Sequence, residues 1–377
     1  MHITKEKNMS RILVYGLSNN WGGVESIVMS IVERLARYCQ FDVIHSNAPS
    51  LYEKKYENKN IRFVHIPTWG GDRNGFAQGL KTLLRETKYD YVWINACIMS
   101  NATILSVVKK YSDAKVITHS HGSSFEETNL IKRWVLLGMH YWNRRKYHQY
   151  VDMPCCCSFK SAEWFYGKTY TKEHDVYFVK NGVDYGKYKF DMSTREEYRR
   201  RLNADGETLV LFHAGRLTQV KNQRKLLEIL QVLVDRGKKV LLLIAGVGEL
   251  HDDLVAYAKE LGISDKVKFL GMRHDVNCLM QAADAFLLPS FHEGFPVTIV
   301  EAQSAGLPCI VSANLSREVD ITKSVKFVPI NSGAETWCEE IEKFDTMRRI
   351  EVSTLVKQCG YDIEDVANNF KNKITLC

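Results

Sequence analysis

No apolar run in the chain is long enough to cross a bilayer. The best, Val240 to Val247, falls far short of the ~20 residues a spanning helix needs. The first residues, MHITKEKNMSRILVYGL, lack a long apolar core followed by a small-residue cleavage site, so a secreted product is not expected. Residues before Met9 are expected to form a loose leader. No CxxC pair is followed by a second at zinc spacing, although the chain has 10 cysteines. Cys155, Cys156 and Cys157 are adjacent, alternate faces on a strand and cannot close around one metal; they read as small buried strand residues. Without a signal peptide, the cysteines fit a reduced cytosolic setting. No GxGxxG follows the first strand, which argues against a dehydrogenase. There is no internal repeat, no low-complexity segment and no nucleic-acid-binding signature.

What is present is ordinary for a globular protein: 377 residues, 45% hydrophobic and 25% charged. That length accommodates two domains. The net charge of +7 is uneven. Residues 1–187 carry 26 Lys and Arg against 17 Asp and Glu, and residues 188–377 carry 25 against 27. The basic first half suits an anionic partner: a lipid headgroup, a diphosphate carrier or a nucleic acid.

Short apolar runs alternate with helical patterns. Arg11–Leu17 reads as a buried strand, followed by the loop Ser18 to Gly23 and a helix from about Val24 to Tyr38. Strand, glycine pair, helix is a plausible anion-binding unit, and a plain tight turn is the alternative. Further strands are expected at Phe41–His45, Arg62–Ile66, Tyr91–Asn95, Lys115–His119 and Asp152–Ser158, with helices at Phe76–Thr87 and Ala102–Tyr111. This alternation predicts parallel sheets with helices on both faces and ligands at the carboxyl ends of the strands. His119 and His121 fall at such an end, in ITHSHG. Leu130–His148 combines Trp134, Leu137, Tyr141 and Trp142 with Lys132, Arg133, Arg144, Arg145 and Lys146. That mixture suits a helix at a membrane surface, or an ordinary helix with solvated charges. Tyr185–Arg201 is polar and reads as a linker.

The second half repeats the pattern. Thr208–Ala214 is a strand, after which GRLTQVKNQ opens a helix from Thr218. Arg216 offers a planar fork of donors and Lys221 a mobile point charge, a pair able to neutralise a diphosphate. Leu287–Ser312 reads strand, turn, helix, strand, with the helix running from Pro296 to Gly306. Glu293 and Glu301 are eight positions apart, so Glu301 lies on a helix face below the loop that carries Glu293. An uncapped helix start attracts phosphate, and two carboxylates can accept sugar and ribose hydroxyls.

The wording EGFP…EAQSAGLP resembles the E-x7-E motif of the retaining glycosyltransferases of family 4. GRL…K matches that family's diphosphate motif, and GGVE, the histidine after the strand, NGVD and SREVDIT are similar to its other segments. The resemblance covers nearly the whole chain from Met9. It implies an α/β GT-B fold: two Rossmann-like domains with parallel sheets facing across a cleft. It implies an acceptor-binding domain at 1–187, a donor-binding domain at 188–360, and a helix at 361–377 crossing back to the first. It implies transfer of a sugar, with retention, from a nucleoside diphosphate-sugar to a saccharide acceptor. A UDP-sugar is favoured as donor. The acceptor would be lipid-linked, in capsule or exopolysaccharide synthesis at the cytoplasmic membrane face.

By matching position, the resemblance assigns donor binding to Gly22, Gly23, Arg216, Lys221, Met272, Arg273, Glu293, Gly294, Phe295, Pro296 and Glu301. It assigns catalysis to His119, Arg216, Lys221 and Glu293. His119 matches best, with His121 the alternative. Acceptor or membrane contact falls to Lys132, Arg133, Trp134, Arg144 and Arg145. No metal or cofactor is expected. Rival readings are a GT-B nucleotide-sugar epimerase and a non-catalytic sugar-nucleotide-binding protein.

Overall fold

The computed structural model describes residues 9–19, 22–46, 53–124, 129–344, 349 and 352–376. The expected leader, Asn20 and Trp21 lie outside them. The chain divides into two compact units, residues 1–180 with 364–377, and residues 181–363. Each is built on a parallel sheet.

Among the described residues the first sheet has seven strands: β1 (Ser10–Tyr15), β2 (Cys39–His45), β3 (Ile61–His65), β4 (Tyr91–Ala96), β5 (Lys115–Ser120), β6 (Met153–Cys156) and β7 (Tyr177–Phe178). Their order is β3-β2-β1-β4-β5-β6-β7. These strands are apolar runs because both faces are covered. Leu13, Ile44, Val92 and Ile94 pack with Phe76, Leu80, Val108 and Phe165 from helices on one face. On β4, Trp93 alternates away from Val92 and Ile94. It meets Phe370, from the last helix Ile363–Leu376, with ring centroids 4.7 Å apart. That helix is tied to the first unit again where Tyr91 Oη donates to the Ile374 carbonyl at 2.6 Å and Arg34 Nε pairs with Glu364 at 2.9 Å. Cys155, Cys156 and Cys157 are all buried.

The second sheet has six strands among the described residues: β8 (Leu209–Ala214), β9 (Val240–Ala245), β10 (Val267–Gly271), β11 (Ala285–Leu288), β12 (Cys309–Ser312) and β13 (Val325–Val328). Its order is β10-β9-β8-β11-β12-β13, the doubly wound pattern of the first sheet. In both units the order reverses beside the first strand: between β1 and β4, and between β8 and β11. Chain leaving those strands in opposite directions opens a crevice at their carboxyl ends.

Glycine fits where those edges are tight. Gly16, just past β1, has φ +101°, and a Cβ there would collide with the Asn95 carbonyl at the end of β4. Gly246, just past β9, has φ +145° and lies equally close to the Gly215 carbonyl.

The stretch read as a linker is mostly helical. Helix Met192–Leu202 is capped by Asp191, which accepts from Thr194 N, and ends at left-handed Asn203. Arg195 and Arg199 reach Asp284 at 2.6 and 3.1 Å, and Asp284 also accepts from Val210 N at 2.7 Å. The helix docks through charge rather than an apolar stripe, so hydrophobic periodicity could not reveal it. The connection into the second unit is bound to it early. Val183 N donates to the Tyr361 carbonyl at 2.8 Å, and Asn181 Nδ2 to the Phe295 carbonyl at 2.7 Å.

Candidate functional site

The second unit brings its motif residues together at the crevice between β8 and β11. β8 ends at Ala214, and the chain turns through Gly215, Arg216 and Leu217 into a single 3-10 turn, Gln219–Lys221. Helix Gln223–Asp235 then starts from Asn222 in the left-handed conformation. The expected continuous helix from Thr218 is therefore broken at Asn222. The break aims the side chain at the neighbouring loop: Asn222 Nδ2 donates to the Pro289 carbonyl at 3.1 Å. Phe291 N donates to the Val220 carbonyl at 2.8 Å. These two bonds stitch the loop after β11 to the loop after β8. The result is an ion pair, Lys221 Nζ to Glu293 Oε1 at 2.6 Å, with both side chains largely buried.

A buried layer supports the seam. His213 on β8 sits opposite the Leu287 carbonyl at 2.9 Å, so Nδ1 carries the proton, since a carbonyl only accepts. Its bare Nε2 takes a hydrogen bond from Gln223 Nε2 at 3.2 Å, and Gln223 also donates to the Arg216 carbonyl at 2.7 Å. The Arg216 backbone is fixed while its side chain stays exposed. Among the described residues its guanidinium forms no ion pair.

After Glu293 the chain passes Gly294 and buried Phe295 to Pro296. Pro296 has ψ 117°, so it caps the helix Val297–Ser304 rather than beginning it. No side chain caps that start. Phe295 stacks on Tyr361 at 5.5 Å, which anchors the turn. Glu301 lies within the helix and accepts a hydrogen bond from Tyr188 Oη at 2.6 Å. Burial pushes its carboxyl pKa up, and the Tyr188 bond offsets part of that. Tyr188 sits in the stretch read as a linker, and no sequence signal pointed to it. Met272 is exposed, but Arg273 is engaged by Asp275 through bonds of 2.8 and 2.6 Å, and Tyr198 holds the same carboxylate.

The first unit holds the other expected residues. Gly22 is the extended N-cap of helix Gly23–Leu35. Glu25, the last residue of GGVE and not among the expected site residues, accepts through its carboxylate from Ser18 N at 2.8 Å and Ser18 Oγ at 2.9 Å, closing the loop after β1 onto the helix start. His119 is the penultimate residue of β5 and has no exposed surface. Its ring lies between Trp93, 6.1 Å away, and His121, 3.9 Å away. His121 follows the strand end and is held by Asn95 Oδ1 at 2.9 Å. Burial drives the His119 pKa well down and the His121 pKa to about 3, so both rings are neutral at pH 7.

Helix Leu130–Tyr147 is continuous through Gly138. Its first half exposes Ile131, Lys132, Arg133, Trp134 and Val135. Arg144 is committed to the fold instead, lying 5.0 Å over the Tyr141 ring and donating to the Trp164 carbonyl at 3.4 Å. Arg145 is exposed, and the Lys146 side chain lies outside the described residues. Among the described residues no helix is long and apolar enough to cross a membrane.

Two family profiles match. "Glycosyl transferases group 1" matches residues 194–348, and "Glycosyltransferase Family 4" matches residues 21–187. The chain belongs to glycosyltransferase family 4. It is 26% identical over 367 residues to EpsF of Bacillus subtilis (strain 168), covering 95% of this chain and 94% of that one. It is 29% identical over 238 residues to the UDP-Gal:alpha-D-GlcNAc-diphosphoundecaprenol alpha-1,3-galactosyltransferase of Escherichia coli, covering 62% and 60%. Among solved structures, Anabaena Alr3699/HepE in complex with UDP-glucose superposes with a TM-score of 0.75 at 19% identity, covering 97% of this chain and 100% of that one. The fold is therefore GT-B, and the protein is a glycosyltransferase.

Acid stability follows from the buried rings. Burial lowers the pKa of His213 and His140 to about 4 and that of His121 to about 3, from the ordinary 6.5. Between those values and 6.5 the unfolded chain binds protons that the folded chain refuses. Stability is full above about pH 6.5 and falls as the pH drops toward 4. Urea midpoints at pH 7.5 and 5 measure this. The His213→Gln variant should show a shallower decline between the two pH values.

Proposed function

We propose that this glycosyltransferase moves a hexose, with retention of configuration, from a UDP-sugar to a lipid-linked saccharide in surface polysaccharide synthesis, without a catalytic metal. One observation carries the reading: the Lys221–Glu293 pair at 2.6 Å joins the diphosphate motif to the E-x7-E motif at the second sheet's switch point. The donor chemistry is suggested by the UDP-glucose complex of the Anabaena protein, and the acceptor class by the diphosphoundecaprenol substrate named for the Escherichia coli relative.

As the glycosidic bond breaks, negative charge grows on the departing phosphate oxygen. Arg216, exposed and unengaged, and Lys221, released from Glu293, neutralise it in the role a metal fills elsewhere. The uncapped helix start at Val297 and the turn Gly294–Pro296 add backbone N–H groups and a positive dipole end. Glu293, freed of Lys221, accepts from a hydroxyl of the transferred sugar. Glu301 exchanges its Tyr188 bond for the ribose hydroxyls. Of the two histidines, His121 is assigned to the sugar and His119 to the interior, because His119 has no exposed surface. A ring that stays neutral to about pH 3 offers a hydrogen bond, not general acid catalysis. The acceptor hydroxyl attacks from the leaving-group face, and its proton passes to the leaving phosphate. Arg273 serves the base only if Asp275 lets it go, so Met272 is the readier contact.

The first half of helix Leu130–Tyr147 is assigned to an anionic membrane surface, where Ile131, Trp134 and Val135 would insert and Lys132 and Arg133 would meet headgroups.

Purified protein offered UDP- and GDP-sugars, without added Mg²⁺ or Mn²⁺, should release nucleoside diphosphate from a UDP-sugar. Arg216→Ala should lower that rate by roughly 10²–10³-fold. Full activity of this variant would refute its role, and conversion of the sugar to its epimer without release would favour an epimerase. Sedimentation with anionic vesicles tests the membrane face. The wild type should pellet, and a Trp134→Ser, Ile131→Ser variant should stay in the supernatant. Equal pelleting would remove that assignment.

A further inference from the structure

β2 and β3 pair in parallel with His45 opposite His65, each the last residue of its strand. Glu53 opens the short helix Glu53–Tyr56 and points its carboxylate at both rings. Glu53 Oε1 lies 2.7 Å from His45 Nδ1, and Oε2 lies 3.3 Å from His65 Nε2. One ligand atom from each of the three residues falls within 4.8 Å of the other two. His45 has no exposed side-chain surface, Glu53 has 11% and His65 has 37%.

The far side of each ring decides what the near side presents. His45 Nε2 faces the Ser18 carbonyl at 3.2 Å, and His65 Nδ1 faces the Ser46 carbonyl at 2.7 Å. A carbonyl oxygen only accepts, so a ring that donates to it from the far nitrogen presents a lone pair from the near one. In that tautomer the two near nitrogens and the carboxylate offer one ligand atom each to a single divalent cation. The outer hydrogen bonds to backbone carbonyls are those that orient histidines on a metal.

We propose that His45 Nδ1, His65 Nε2 and the Glu53 carboxylate form a divalent transition-metal site, with zinc the favoured ion. Two imidazoles and one carboxylate suit zinc, and hard cations such as Mg²⁺ are disfavoured by the nitrogen ligands. Ligands at zinc bond lengths sit roughly 3.4 Å apart in a tetrahedron, so the 2.7 Å His45–Glu53 contact opens slightly while the 3.3 Å His65–Glu53 contact already fits. Water takes the fourth position, on the side where His65 reaches the surface. The site belongs to the first unit and takes no part in the bond-breaking assigned to Arg216 and Lys221.

Its consequence is local order. The His45 N–H that orients the ring lands on the Ser18 carbonyl, and Ser18 is the residue whose N–H and hydroxyl bind Glu25. A cation that fixes His45 therefore fixes the loop after β1 and, through Glu25, the glycine start of helix Gly23–Leu35.

The test uses the full chain stripped with a chelator and dialysed, then titrated with Zn²⁺ and with Co²⁺ alone. The wild type should bind one equivalent of Zn²⁺, and its thermal midpoint should rise with added zinc. Bound Co²⁺ should show ligand-field bands without a thiolate charge-transfer band, which separates this site from the 10 cysteines. Glu53→Gln, which can still hydrogen-bond neutral rings, and His65→Ala, at a half-exposed position, should each weaken zinc binding at least ~10-fold while leaving the circular dichroism unchanged. Zinc binding equal in the wild type and His65→Ala, a thiolate band, or no binding by the wild type would each overturn the proposal.

Discussion

The ion pair between Lys221 and Glu293 is the contact on which the second unit's site depends. Neither residue belongs to a long regular element: one ends a single 3-10 turn, and the other sits in a loop before a helix. They meet because β8 and β11 are neighbours at the switch point and because two hydrogen bonds to backbone carbonyls, from Phe291 N and from the Asn222 side chain, close the loops onto each other. The pair is mostly shielded from water, so neither charge is cheaply left alone. On the proposed reading the donor resolves that constraint. Its diphosphate takes Lys221, its sugar takes Glu293, and the free enzyme keeps both groups in place by letting each neutralise the other.

The first unit uses the same strand order with different chemistry at its edge. Gly16 lets β1 leave the sheet against the Asn95 carbonyl, and the Asn95 side chain holds His121. Neutral rings and backbone carbonyls do there what charged side chains do in the second unit. Ser18 joins two parts of this edge, bound to Glu25 on one side and to His45 on the other.

Much of this architecture was legible in the sequence because both sheets are buried on both faces. A strand such as Val240–Ala245 must then be continuously apolar, and a run of that kind is visible. Glu293, Arg216 and Lys221 were visible as motifs in strand-end loops, and Glu301 in the helix that follows. The parts that escaped are held by polar contacts between residues far apart in sequence. Helix Met192–Leu202 docks through Arg195 and Arg199 on Asp284, so its composition resembles a linker. Tyr188 reaches Glu301 across 113 positions. The engagement of Arg273 by Asp275 and the register that sets His45 opposite His65 are likewise facts of geometry. Position alone could not choose between His119 and His121, and both rings are buried.

In the proposed reaction Lys221 serves the diphosphate while Glu293 serves the sugar. Calorimetric titration with UDP, which lacks the sugar, separates the two roles directly. Lys221→Ala should weaken UDP binding at least ~10-fold, whereas Glu293→Gln should bind UDP as tightly as the wild type and fail only in sugar transfer. Equal losses of UDP affinity in both variants, or none in Lys221→Ala, would contradict that assignment.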